Sequence, residues 1–230
     1  MHVLNLKKTS ALHQFLFLVY RFNIVEKSKV SLQEDGEVEK VFELLNKIIL
    51  EFGLGIDLDS KYILEFDDES IDRSKYIEII EVVLEESSVI DGFVDSAFYI
   101  LFSDRNFLHN FNMSLMNFLN SDDSFKIDNE DKLNKKGKLK RVRFPVWLQD
   151  GVLHRDKGVC IKCRRDLTGV INSDFSKHID HIIPLDYGPE NFIAVTNDSS
   201  NFQLMCDGCN GSKGSRKTET NIVNIPWWKI

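Results

Sequence analysis

The chain has 230 residues, enough for one large domain or two small ones. Its 43% hydrophobic and 28% charged content matches ordinary globular proteins, and no apolar run approaches the roughly 20 residues of a membrane-spanning helix. The net charge of -7 would count against a polyanionic partner if it were evenly spread, but it is not. Residues 1–131 carry 12 Lys+Arg against 26 Asp+Glu, a balance of -14, and residues 132–230 carry 17 against 10, a balance of +7.

Such asymmetry suggests two modules, the basic one facing nucleic acid. We take residues 1–131 as a mostly helical acidic module, 132–144 as a basic linker or arm, and 145–230 as a second module. The run Phe15–Tyr20 is too short for a membrane anchor and lacks a small-residue cleavage site, so a cytoplasmic location is expected. In that setting the four cysteines, in two Cys-x-x-Cys pairs, read as metal ligands rather than disulfides.

In chain order, residues 1–30 are apolar and aromatic without a clean period. Val38, Val41, Phe42, Leu45, Ile48, Ile49 and Phe52 follow the helical period, and Gly53 stands where a helix commonly stops. A second helix is expected from about Asp72 to Glu86 and a third from Asp91 as N-cap, with a short apolar segment at Met113–Leu119. Thirteen of the 17 phenylalanines precede residue 131, so this half can build its own core. Its acidic surface is a solvated face, a docking surface for a protein partner or a second copy of the chain, or a shield for the basic half.

The charge changes sign after Asp131. Lys132, Lys135, Lys136, Lys138, Lys140, Arg141 and Arg143 follow with no acid among them, which suits a solvated linker or a phosphate-contacting arm. Pro145–Leu148 opens the second module, and a short helix at Val152–Asp156 leads to the first cysteine pair.

Cys160/Cys163 and Cys206/Cys209 offer four thiolates to one tetrahedral zinc. Four sulfurs leave no open position, so this zinc is structural and staples the ends of a 42-residue insert. Within the insert, Lys177–Ile183 reads as a strand, Pro184, Gly188 and Pro189 open a loop, and Asn201–Met205 returns. A short helix is expected from about Asp207 through Lys217. Strand alternation would send Asp180 and His181 to opposite faces unless the strand ends or bends there.

Together, Cys160-x-x-Cys163, Asp180-His181-Ile182-Ile183-Pro184, Asn201-Phe202-Gln203-Leu204-Met205-Cys206 and Cys209-Asn210-x-x-Lys213 resemble the HNH endonucleases with a ββα-metal fold. The approach Arg155-Asp156-Lys157-Gly158-Val159-Cys160 is similar too, and the resemblance covers roughly residues 150–217. It implies an α+β chain, with the helical module followed by a ββα-metal nuclease domain. It also implies a divalent-metal-dependent endonuclease acting on DNA, with RNA open as a second substrate, and settings that include restriction, anti-phage defence and mobile elements.

By the resemblance His181 is the general base, and Asp180 and Asn210 ligate a catalytic cation, making this a His-Asn-Asn variant. Asn201 holds the loop through backbone hydrogen bonds, with Asn191 and Asn197 as competitors; His178 competes with His181. An amide oxygen ligand suits a hard ion, Mg2+ or Mn2+. Lys213, Arg216 and Lys217, with Lys140, Arg141 and Arg143 of the arm, are the expected nucleic-acid contacts. The tail Ile225–Ile230, with Trp227 and Trp228, is expected to pack back on the protein. A zinc-stabilised nucleic-acid-binding module that does not cleave is the competing expectation.

Overall fold

The computed structural model describes residues 8–33, 38–51, 73–121, 127–168, 178–190, 197–215, 217–218 and 220. The expected stop at Gly53, Lys177, Asn191, Arg216 and the tryptophan tail lie outside the described residues. Two compact units result, one of His13–Phe98 and one of Met1–Leu12 with Tyr99–Ile230. This division follows contacts and falls elsewhere than the change of charge at residue 131.

The first part of the chain is helical: α1 (Ala11–Val19), α2 (Glu26–Gln33), α3 (Val38–Glu51), α4 (Arg73–Leu84), α5 (Ser87–Ser103) and α6 (Arg105–Ser121). A π-helical turn, Tyr20–Val25, joins α1 to α2. Its wider winding shifts the apolar face, which explains why residues 1–30 showed no single period. The core of the His13–Phe98 unit gathers Tyr20, Val25, Ile49, Ile79, Ile80, Val83, Leu84 and Val89. Within it, buried Tyr20 donates its hydroxyl to Leu84 O at 2.8 Å.

Two expectations are corrected here. The third helix starts at Ser87, not Asp91, because the N–H groups of Val89 and Ile90 already bond to Glu86 O. Met113–Leu119 is no separate segment but the second half of the 17-residue α6. The buried stripe Leu108, Asn112, Leu115, Met116 and Leu119 runs the length of that helix, and two polar interruptions, Asn110 and Asn112, hid its continuity.

In the second unit, α7 (Val146–Arg155) leads to the first cysteine pair. Strands β1 (His178–His181) and β2 (Phe202–Met205) pair antiparallel, with Asp180 opposite Gln203 and His181 opposite Phe202. Helix α8 (Asp207–Lys213) follows β2. It ends earlier than expected because Gly214 takes a positive φ of 62° and turns the chain away. The helical region followed by a two-stranded sheet and helix is an α+β architecture with a ββα motif. A core of Leu148, Val152, Ile161, Leu167, Phe202, Leu204 and Met205 backs the sheet.

Between α7 and Cys160, Lys157 and Gly158 both have positive φ. A Cβ at Gly158 would stand 2.4 Å from the Thr168 Cγ2 methyl and would be strained at φ 66°, so glycine suits this turn.

Helix α6 belongs to the same compact unit as the sheet. Its buried Arg105 places Nη1 3.3 Å from Asp156 Oδ1, and Arg155 Nε donates to the same oxygen at 2.9 Å. Asp156 Oδ2 accepts from Leu204 N of β2 at 2.7 Å, and Arg155 Nη2 reaches Phe202 O. One buried carboxylate therefore joins α6, α7 and β2. Asn112 of α6 donates to Ser200 O at 3.3 Å, and Ala11 N donates to Asp198 Oδ2 at 2.6 Å.

Asp156→Ala would leave two guanidinium groups and a strand N–H without their shared acceptor. Urea unfolding should show a loss of about 3–5 kcal/mol, as for other buried ion pairs broken on one side. A loss under about 1 kcal/mol would refute the carboxylate's role as the junction.

Candidate metal and nuclease site

The four cysteines come together as expected. Their sulfurs all lie within 4.8 Å of one another, and Cys163 Sγ is 3.7 Å from Cys206 Sγ. A tetrahedron with zinc–sulfur bonds of about 2.3 Å has edges of about 3.8 Å, so the set fits a zinc ion closely. The first knuckle is closed by Arg164 N to Cys160 O and Cys160 N to Arg165 O, both 2.9 Å, with Arg164 at φ 64°. The second spans the start of α8, where Asn210 N bonds to Cys206 O at 2.9 Å.

Burial works to raise the Cys160 thiol, but the amides of Cys163, Cys206 and Lys162 outweigh it and hold the group at about 7. Cys209 is pushed up to about 12 by burial and by the adjoining sulfurs. Four thiols this close cannot all ionise without a cation between them, which is the electrostatic case for zinc here.

On the other side of α8, Arg141, Phe144, Asp180, His181, Asp186 and Asn210 are among the residues lining a cleft of about 470 Å3. Asp180 and His181 both reach it because β1 ends at His181. Past that end, Ile182 N bonds to Asn201 O at 2.7 Å. Fully buried Asn201 accepts from Ile183 N at 3.0 Å through Oδ1 and donates to Ile183 O at 3.3 Å. Its side chain fixes the backbone immediately after His181.

Asn197, the competitor of Asn201, touches the imidazole itself: its Oδ1 is 3.4 Å from His181 Nε2. Asn197 Nδ2 donates to Lys140 O at 3.4 Å, so the amide oxygen is the atom turned to the ring. Nε2 then carries the proton and Nδ1 keeps its lone pair. Burial, the largest effect, pushes His181 down to about 4 against the opposing pull of Asp180 and Asn197, so the ring is neutral at pH 7. Phe144 and Phe202 flank the ring at centroid distances of 5.7 and 4.6 Å and supply that apolar wall.

Lys213 departs from its expected place at phosphate. Its side chain is fully buried, with Nζ 2.7 Å from Asp180 Oδ2 and 2.6 Å from His181 O. The ammonium ties α8 to β1 and holds one oxygen of Asp180, which leaves it no reach to solvent. Gln203 Nε2, at 3.4 Å, faces the same oxygen from β2.

The basic arm is built into this unit. Leu133 and Leu139 form an antiparallel bridge, and buried Lys138 donates to the carbonyls of Tyr187, Gly188 and Pro189 at 2.8, 3.2 and 2.6 Å. Lys140 is exposed with Nζ on Asp131 O at 2.7 Å, Arg143 and Lys217 are exposed, and Arg141 alone of the arm's cations lines the cleft. Asn197, Gln203 and Phe144, which contact His181 or Asp180, are residues that sequence reasoning left without a leading role. No spacing rule marked them: Asn197 and Phe144 meet the arm and the His181 ring only in the folded chain, and Gln203 reaches Asp180 across the strand pair.

Residues 160–216, about a quarter of the chain, match the family model described as HNH endonuclease. No curated protein and no solved structure matches the chain. Among the described residues no helix is long and apolar enough to cross a membrane.

Purified protein should carry about one zinc per chain by elemental analysis. Cys206→Ser should lose that zinc and melt at a lower temperature, whereas Asp180→Ala should retain it. Zinc loss from Asp180→Ala would mean that the two groups of residues are not separate sites.

Proposed function

We propose that the HNH endonuclease domain at residues 160–216 makes this chain a divalent-cation-dependent endonuclease that hydrolyses phosphodiester bonds in DNA. One observation carries the reading: Asp180, a neutral His181, Asn210 and Arg141 converge on one cleft beside a closed four-sulfur zinc site. A single domain match supports a nuclease-type function with metal binding; the substrate and the roles below are our reading of the geometry.

His181 Nδ1 takes a proton from a water as that water's oxygen attacks the phosphorus, a transfer a neutral imidazole performs near pH 7. The bond to the 3′-oxygen breaks and that oxygen takes a proton from a solvent water, leaving 5′-phosphate and 3′-hydroxyl ends. Asp180 Oδ1 and Asn210 Oδ1 are the atoms that would hold Mg2+ or Mn2+. Such a cation, when bound, neutralises charge on the phosphoryl oxygens and the departing oxygen. Lys213 restricts Asp180 to one orientation, Asn197 sets the tautomer of His181, and Asn201 fixes the turn that carries it.

Arg141 supplies a cation at the cleft for the phosphate, and exposed Lys140, Arg143 and Lys217 extend the positive surface along a polyanion. A nuclease preceded by an acidic helical half suits an effector of restriction or anti-phage defence in the cytoplasm, controlled through a protein partner or a second copy.

The second reading, binding without cleavage, is favoured by one feature: Lys213 already engages an Asp180 oxygen. Plasmid incubated with Mg2+ separates the two, since the nuclease nicks it and the binding module only shifts it on a gel. His181→Ala should abolish nicking with zinc content unchanged, and Asn197→Ala should lower the rate by less than the roughly 100–10,000-fold that general-base catalysis contributes. Full activity in His181→Ala would overturn the assignment.

A further inference from the structure

His178 was set aside in the sequence as a competitor of His181, yet it does not share the cleft's lining. It stands at the start of β1, half-buried, with Nδ1 3.4 Å from Asn210 Nδ2 and Nε2 3.3 Å from Asp207 Oδ1. The second distance is an off-line ion-pair contact rather than a full hydrogen bond, and Nε2 is otherwise shut away from solvent.

The chemistry of these three side chains fixes their roles. The NH2 end of the Asn210 amide, which faces the ring at 3.4 Å, only donates, so the ring nitrogen it meets is a bare acceptor. A bare acceptor can meet only the NH2 end of the Asn210 amide. The oxygen end is therefore turned the other way, toward the cleft that Asn210 lines. With the opposite flip, Asn210 would present two N–H donors to a cation, and the ligand would be lost.

We propose that His178 is a positioning residue that holds the Asn210 amide with its oxygen toward the cation site. The inference rests on the proposed role of Asn210 as a cation ligand. It gives β1 a second duty: its last two residues reach the cleft, while its first orients a ligand on α8. It also accounts for the extended pairing of His178 opposite Met205, which brings the ring beside the first turn of α8.

The side chains of asparagine and glutamine distinguish this role from simple packing. Asparagine can set an acceptor where Nδ1 stands; glutamine reaches toward the position of Nε2 and leaves Nδ1's place empty. Mn2+ binding to the full-length protein, measured by electron paramagnetic resonance without nucleic acid, gives the readout, and the Mg2+ dependence of plasmid nicking gives a second one. His178→Gln should weaken Mn2+ binding by about 10–100-fold, the usual effect of removing a ligand's supporting partner. The Mg2+ needed for half-maximal nicking should rise by the same factor, with the maximal rate recovered at saturating Mg2+. His178→Asn should stay close to the parent protein in both.

Unchanged Mn2+ binding in His178→Gln, equal losses in the two variants, or zinc loss from His178→Gln would each overturn the proposal. Asp180→Ala separates this failure from that of the underlying reading. If Asp180→Ala loses Mn2+ and His178→Gln does not, the cation site stands and the role of His178 falls. If Asp180→Ala also binds Mn2+ normally, the cation lies elsewhere and both fall.

Discussion

Four sulfurs within 4.8 Å of one another are the constraint on which the region matching the HNH model depends. Cys160 and Cys163 sit on a knuckle whose Ile161 N–H bonds to Leu204 O of β2, and Cys206 and Cys209 sit where β2 passes into α8. Drawing the pairs together fixes the angle at which α8 leaves the sheet. Asn210 follows the last cysteine directly, so its place beside β1 is set by the same four sulfurs. A seven-residue helix with glycines at 208 and 211 has little stability of its own, and the metal site supplies what propensity does not.

A second constraint is the buried ammonium of Lys213. It meets a carboxylate oxygen of Asp180 and the carbonyl of His181, so one side chain locks the end of α8 to the end of β1. Burying a lysine is costly unless it is paired and hydrogen-bonded, and both conditions hold here. Helix α6 braces the region from outside through Arg105 and Asn112, which reach Asp156 and Ser200. Within its compact unit, Ala11 N and Lys138 Nζ complete the buried polar network of the region that matches the HNH model.

Much of this was legible in the sequence, for identifiable reasons. Paired cysteines have a fixed chemical meaning, and the Asp180-His181 dipeptide with a following proline marks a strand that must stop. Helices α3 and α4 carried clean periods and were placed to within a few residues. What escaped reading was tertiary in origin. The π-helical turn at Tyr20–Val25 spoiled the period around it, and the polar residues of α6 masked a continuous helix. Lys213 looked like a surface cation because nothing local announces that a lysine will be buried. The arm read as a run of equivalent positive charges, yet folding gives Lys138 three carbonyls, Lys140 a backbone oxygen and Arg141 the cleft.

Two cation sites with different tasks, one closed and one open, form the centre of the proposed function. Its most direct measurement is plasmid nicking by full-length protein dialysed against EDTA, with zinc content followed by elemental analysis throughout. The two-site arrangement predicts that dialysed protein still holding one zinc per chain is inactive and that Mg2+ alone restores nicking. Nicking that persists without Mg2+, or that returns only when zinc is added back, would contradict it.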